Sequence, residues 1–291
     1  QQNRGARKAE LNAVVGDAIA HVVQKQIESG IDVINDGEQG RTDYTVHVVD
    51  RLAGFDGEST PPLGTGDPEF PELSQLLSHF ASPFQYRPSC TGEVTWKDWG
   101  AAQADIDLSK EVMRGANATE LFMTAPSPGQ IARFLKNKHY ETEEAYVYAL
   151  ANTMKREYEA IVEAGFILQL DCPDLAMLRH TVYLDKSLSD FRKIIAVNVT
   201  ALNRAIADIP ADRMRMHVCW GSTMAPHHTD VPLMDIIDIV LSARPMAVSF
   251  PAANARHEHE WKIWRQVKLP AGKAIVPGVI DSTVNTVEHP E

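Results

Sequence analysis

The fold class predicted from the sequence is a (β/α)8 barrel, and three observations predict it. Short apolar runs alternate with amphipathic helical patterns, polar or reactive residues stand just after several of those runs, and no phosphate-cradling glycine loop follows any of them. Alternation of this kind means parallel pairing, and short apolar runs suit strands buried on both faces. A doubly wound open sheet is the main structural alternative. It would be favoured by a Gly-x-Gly-x-x-Gly or Gly-x-x-x-x-Gly-Lys-Ser/Thr turn, and the chain has neither after a strand.

Taken in order, residues 8–29 carry Leu11, Val14, Val15, Ala18, Ile19, Val22, Val23 and Ile27 at helical spacing, and Gly30 follows as a C-terminal stop. A strand over 31–34 then runs into Asn35-Asp36-Gly37-Glu38. The same unit recurs further on: a helix over 143–164 stops at Gly165, and a strand over 166–170 leads into Asp171-Cys172-Pro173. Further strands are expected over 121–123, 214–219, 247–250 and 274–276, with helices over 186–209 and 232–242. Residues 51–100, with Pro61-Pro62, several glycines and an aromatic stretch over 84–99, read as a long excursion within one catalytic domain spanning 1–291. The count is six strands. The expectation is therefore a barrel lacking its first and last strands in this chain, in preference to two strands hidden in the excursion.

Composition narrows the function classes. With 291 residues and 44% hydrophobic content the chain can bury a full core. A net charge of -11, from 28 basic against 39 acidic residues, repels phosphate backbones and anionic lipid, which argues against nucleic acid and membrane partners. Three scattered cysteines, Cys90, Cys172 and Cys219, make no disulfide framework, and with no leader at the start a reducing cytoplasm is the expected setting. Association into a homo-oligomer is compatible with these features.

The chemistry concentrates at strand ends. In Met216-His217-Val218-Cys219-Trp220-Gly221 the His and Cys stand two apart, so on a strand both side chains leave one face and can converge on a single ion. Imidazole with thiolate is zinc chemistry, and the strand-end position favours ligands over an inert core pair. Glu38 follows a glycine turn that lets its carboxylate face the barrel mouth, against the alternative of a solvated turn. Asp171 follows a largely apolar run, where an unpartnered carboxylate is costly, so a site role is preferred to a helix cap. Arg256-His257-Glu258-His259-Glu260-Trp261 follows the 247–250 strand. Its His257 and Glu260 are read as positioning substrate or starting a helix, because His257 and His259 would share a face only if the segment were extended. Trp220 is assigned to substrate contact, His227-His228 is a weaker candidate for it, and Cys172 is a reserve zinc ligand.

Four motifs in order carry a resemblance. Gln26-Ile27-Glu28-Ser29-Gly30 leading to Asp36-Gly37-Glu38, Gln169-Leu170-Asp171-Cys172-Pro173, His217-Val218-Cys219, and Pro277-Gly278-Val279-Ile280-Asp281 together resemble the catalytic barrel of the cobalamin-independent methionine synthases and their single-barrel relatives, including the zinc-dependent coenzyme M alkyl transferases. The likeness extends over nearly the whole chain and is specific for the superfamily, not for a substrate. It implies that Glu38 holds the amino group of a thiol amino acid, that Asp171 is a second substrate-binding acid, and that His217 and Cys219 are two ligands of a zinc cofactor. The implied partners are a small thiol and a methyl or alkyl donor, with 5-methyltetrahydrofolate and homocysteine the first pair. Pro251 stands where the synthases carry a ligand Glu, the family's last ligand Cys would lie beyond Glu291, and the family's proton-delivering His falls near Thr283. These departures keep two alternatives open: a folate-independent thioether-forming or thioether-cleaving transferase or lyase, and a metal-dependent barrel hydrolase using His257 and His259. A binding protein with a decayed metal site is a third.

Overall fold

The computed structural model describes residues 2–58, 69–78, 87–222, 226–281 and 284–285. Its first unit shows how the sequence writes the fold. Helix α1 (Gln2–Glu28) ends at Gly30, whose φ of 76° lets the chain reverse while Ile31 N donates to Gln26 O and Gly30 N to Ile27 O. These two bonds satisfy carbonyls that the helix end leaves open and feed the chain into strand β1 (Val33–Ile34). The excursion follows, with β2 (Leu52–Asp56), α2 (Pro71–Ser78) and β3 (Ser89–Trp96). Next come α3 (Trp99–Met113), β4 (Glu120–Pro126), α4 (Pro128–Phe134) and α5 (Glu143–Glu163).

Thr142 caps α5 by accepting from Ala145 N, and Gly165, at φ 101°, closes it with the same pair of bonds as α1, from Phe166 N to Ile161 O and Gly165 N to Val162 O. After it come β5 (Ile167–Asp171), α6 (Leu178–Thr181), α7 (Leu188–Ala205), β6 (Met214–His217), α8 (Ile237–Leu241), β7 (Ala247–Pro251) and β8 (Ala274–Gly278). The helix predicted over 232–242 is broken into a 3-10 turn at Leu233–Asp235 and the short α8.

Six strands form one parallel sheet in the order β1-β4-β5-β6-β7-β8. It is the curled sheet of a (β/α)8-type barrel, with six of the barrel's strands among the described residues. All six predicted strands are in it. The excursion does hold two further strands, but β2 and β3 pair antiparallel with each other and join none of the six.

Register decides what faces the barrel. Asp171 lies level with His217, and His217 with Ser249. One layer below, Thr124 lies level with Gln169, and Gln169 with Arg215. Leu168, Leu170, Met214, Met216, Val248 and Phe250 alternate with these and are buried against the helices. Strands that read as apolar therefore carry a polar inner face. No described helix is long and apolar enough to cross a membrane.

Candidate active site

Glu38 is presented by a locked turn. The Gln26 side chain bonds both the N–H and the carbonyl of Asn35, at 3.1 and 2.8 Å, tying α1 to the loop. Asp36 is buried; it accepts from Ser109 at 2.9 Å and from the Glu38 N–H at 2.9 Å. Asp36 thus holds the turn, and Glu38, at φ 57°, is the carboxylate that the turn displays. Glu38 accepts from the Thr124 hydroxyl and stands 3.6 Å from Arg41, whose guanidinium also donates to Thr124 Oγ1 and O at 2.7 and 2.8 Å.

Asp171 closes β5 and is buried. Burial, reinforced by the nearby Glu38 carboxylate and only partly offset by a hydrogen bond from Gln169 and the charges of Arg41 and Arg215, pushes its carboxyl up to about 7. The Glu38 carboxylate thus stands within electrostatic reach of Asp171. Below them, Arg215 Nε donates to Gln169 Oε1 at 2.7 Å and Gln169 Nε2 donates to Asp171 Oδ1 at 2.9 Å, while the Arg215 guanidinium lies 3.6 Å over the Phe122 ring.

Strand β6 ends at His217, two residues earlier than predicted, and Cys219 continues past it. The Gly221 N–H donates to Cys219 Sγ at 3.2 Å. Burial raises the Cys219 thiol, but its hydrogen bond and charge interaction with His217, with the Gly221 N–H, outweigh this and hold it below the usual thiol range. Imidazole and thiol thus meet, a donor pair that fits zinc in kind. Cys172, the reserve ligand, is instead buried with Sγ toward Leu170 O at 3.6 Å, and burial drives its thiol well up.

Among the described residues a different group has three His, Cys, Asp or Glu donors close enough to hold a metal: His227, Asp230 and His257, whose atoms lie within 4.8 Å of one another. Asp230 is its hub. Oδ2 lies 2.7 Å from His227 Nδ1 and 3.0 Å from His257 Nε2, and Oδ1 lies 2.9 Å from His180 Nδ1. Tetrahedral donors about 2.05 Å from zinc are about 3.3 Å apart, so these contacts have hydrogen-bond spacing. Arg256 Nη1, 3.1 Å from His227 Nε2, adds a cation where a metal would need none, and as a donor-only group leaves the His227 proton on Nδ1, toward Asp230. The hub is a clamp across the segments that follow β5, β6 and β7.

The segment after β7 is a 3-10 helix, Glu258–Arg265, which brings His257 into the hub without His259. His257 stacks on Trp220 with centroids 4.3 Å apart, and Trp220 Nε1 donates to Val231 O at 2.7 Å. Glu260 accepts from the Leu233 N–H through both oxygens at 3.0 Å, and its Oε1 lies 3.6 Å from His257 Nδ1. These three predicted substrate residues are buried and brace one another. His227 belongs to the hub, whereas His228 is exposed beside Glu69 and Phe70. Thr283 lies outside the described residues. Thr124, Arg41, Gln169, Arg215, His180 and Asp230 were not singled out from the sequence; the usable signals were Gln169 and Arg215 as polar breaks in apolar strands.

No protein-family model matches the chain. It is similar to a methionine synthase of Saccharolobus solfataricus, with 24% identity over 230 residues, 78% of this chain and 59% of that protein. A methionine synthase of Thermococcus kodakarensis is 26% identical over 215 residues, 73% of this chain and 54% of that protein. The chain thus spans between half and three-fifths of the length of these curated relatives. Among solved structures, a B12-independent methionine synthase from Shewanella sp. W3-18-1, in complex with selenomethionine, superposes with a TM-score of 0.69 at 19% identity, over 94% of this chain and 72% of that one.

Proposed function

We propose, from the chain's membership of the cobalamin-independent methionine synthase superfamily, that it is an S-methyltransferase activating a small thiol, with L-homocysteine as acceptor and 5-methyltetrahydrofolate as the first donor to try. The observation that carries this reading is the convergence of Glu38, Asp171, His217 and Cys219 on one barrel mouth. In this reading, His217 and Cys219 hold zinc, which when bound lowers the pKa of a substrate thiol so that it reacts as a thiolate near neutral pH. Glu38 and Asp171 bind the ammonium group of the thiol amino acid. Two neighbouring carboxylates, one of them held up to about 7 by burial and repulsion, gain most from a cation placed between them. Fixing that end of the substrate orients its sulfur for in-line attack on the donor. The selenomethionine bound to the Shewanella protein supports an amino acid of this shape as a ligand.

The test combines metal analysis of the purified protein with an assay of methionine formed from L-homocysteine and methyltetrahydrofolate. Stoichiometric zinc and methionine formation are expected. Absence of both would overturn the reading, and zinc with thioether formation or cleavage but no use of folate would transfer it to the alkyl transferase alternative that Pro251 favours. The hydrolase alternative has less support, since His257 is engaged by Asp230 and Glu260 and His259 stands outside the cluster.

A further inference from the structure

We propose that Gln169 and Arg215 are positioning residues for Asp171, forming a one-way hydrogen-bond relay that fixes the plane of its carboxylate so that one oxygen faces the barrel mouth. The inference rests on the reading that Asp171 binds the substrate ammonium. Its direction follows from donor chemistry. A guanidinium can only donate, so the Gln169 atom 2.7 Å from Arg215 Nε is the amide oxygen. The amide NH2 must then point the other way, toward Asp171 Oδ1 at 2.9 Å, which settles an orientation that is ambiguous for an isolated glutamine.

Arg215 is itself pinned, its guanidinium 3.6 Å over Phe122, so the relay starts from a fixed point. Backbone pairing aligns the parts: Gln169 and Arg215 are level partners, as are Asp171 and His217. Successive inward positions are two residues, about 6.6 Å, apart along a strand, which places the relay one layer beneath the mouth. With Oδ1 occupied from below, Oδ2, which accepts no hydrogen bond among the described residues, is left for the ligand.

Arg215→Met keeps much of the aliphatic stem but removes the donor that orients Gln169, and Gln169→Leu removes the donor to Asp171. Loss of a hydrogen bond to a charged group predicts that each raises KM for L-homocysteine roughly 10- to 100-fold. Turnover at saturation should stay within about threefold and KM for the methyl donor should not change. Arg215→Lys, which can still donate to Gln169 Oε1, should recover most of the affinity. A merely structural role would lower turnover or raise KM for both substrates, and show no such recovery.

Crystal structures of wild type and Arg215→Met read the relay without reference to activity. One Asp171 rotamer is expected in wild type, and a displaced Gln169 side chain or a second Asp171 rotamer in the variant. An unchanged Asp171 overturns the relay even if the enzyme makes methionine. A wild type that neither binds nor methylates homocysteine overturns the proposed function instead, and the rotamer comparison then decides the relay alone.

Discussion

Replacing Asp171 with Asn should stabilise the protein while disabling it, and the size of the gain follows from the site. In the folded chain burial and the Glu38 carboxylate raise the Asp171 carboxyl from its ordinary 3.8 to about 7. A carboxyl raised on folding adds no penalty below pH 3.8, destabilises increasingly as pH climbs between the two values, and carries its full cost above about pH 7. The gap, at about 1.4 kcal/mol per pH unit, sets a ceiling of about 4 kcal/mol. Asn removes the ionisation and keeps an oxygen that can accept from Gln169. At roughly 2 °C per kcal/mol for a chain of this size, Asp171→Asn should melt several degrees above wild type at pH 8 and within about a degree of it at pH 4. Calorimetric melting of both proteins at half-unit steps from pH 4 to 8.5 measures the difference, alongside homocysteine binding, which the variant should lose. A melting difference that is flat across this range, or a variant less stable than wild type at pH 8, would refute the account of the Asp171 environment.

Three further outcomes test other parts. Cys219→Ser should lower bound zinc, read by elemental analysis, by at least tenfold and abolish transfer, because a hydroxyl is a poor substitute for thiolate on zinc. Asp230→Asn should cost roughly 3 kcal/mol in urea unfolding at pH 7 by removing the carboxylate that His180, His227 and His257 share. Burial raises the Asp230 carboxyl, but its close contact with His180 and its bonds from His227 and His257 outweigh this and hold it well below its ordinary value, so its contribution is present above pH 3.8 and the gap to wild type should close as pH falls below that. Gly129→Ala places a Cβ 2.2 Å from Asp174 Oδ2 and 2.5 Å from Asn198 Nδ2, and should cost roughly 1–3 kcal/mol or more in the same urea assay.

Much of this was legible in the sequence because the barrel repeats one physical sentence: amphipathic helix, glycine stop, apolar strand, reactive residue. Gly30 and Gly165 both mark a true stop, Asp171 closes its strand, Glu38 lies in the turn after β1, and β6 closes at His217, two residues short of the expected Cys219. Periodicity could not show that His180, Asp230 and His257 meet, since they come from the short helix α6 and two separate loops. Nor could it show that β2 and β3 pair apart from the main sheet, because an alternating strand does not name its partner. The inner polar layer was written as interruptions: Gln169 and Arg215 break apolar runs, and what they touch depends on cross-strand register. His257 and His259 illustrate the opposite limit, where a two-residue spacing looks like a pair and a 3-10 turn separates them.

Glu38 stands at a φ of 57°, directly after Gly37 at 65°. A left-handed backbone is a filter on inheritance at that position: it admits Gly, Asn and Asp readily and penalises Val, Ile and Thr whatever their chemistry. Drift at position 38 therefore starts with a short menu of small and polar side chains. The acidic choice on that menu, Asp, is one methylene too short to fill the place that Glu38 occupies against Thr124, so loss of the carboxylate contact is easier to reach by mutation than its repair.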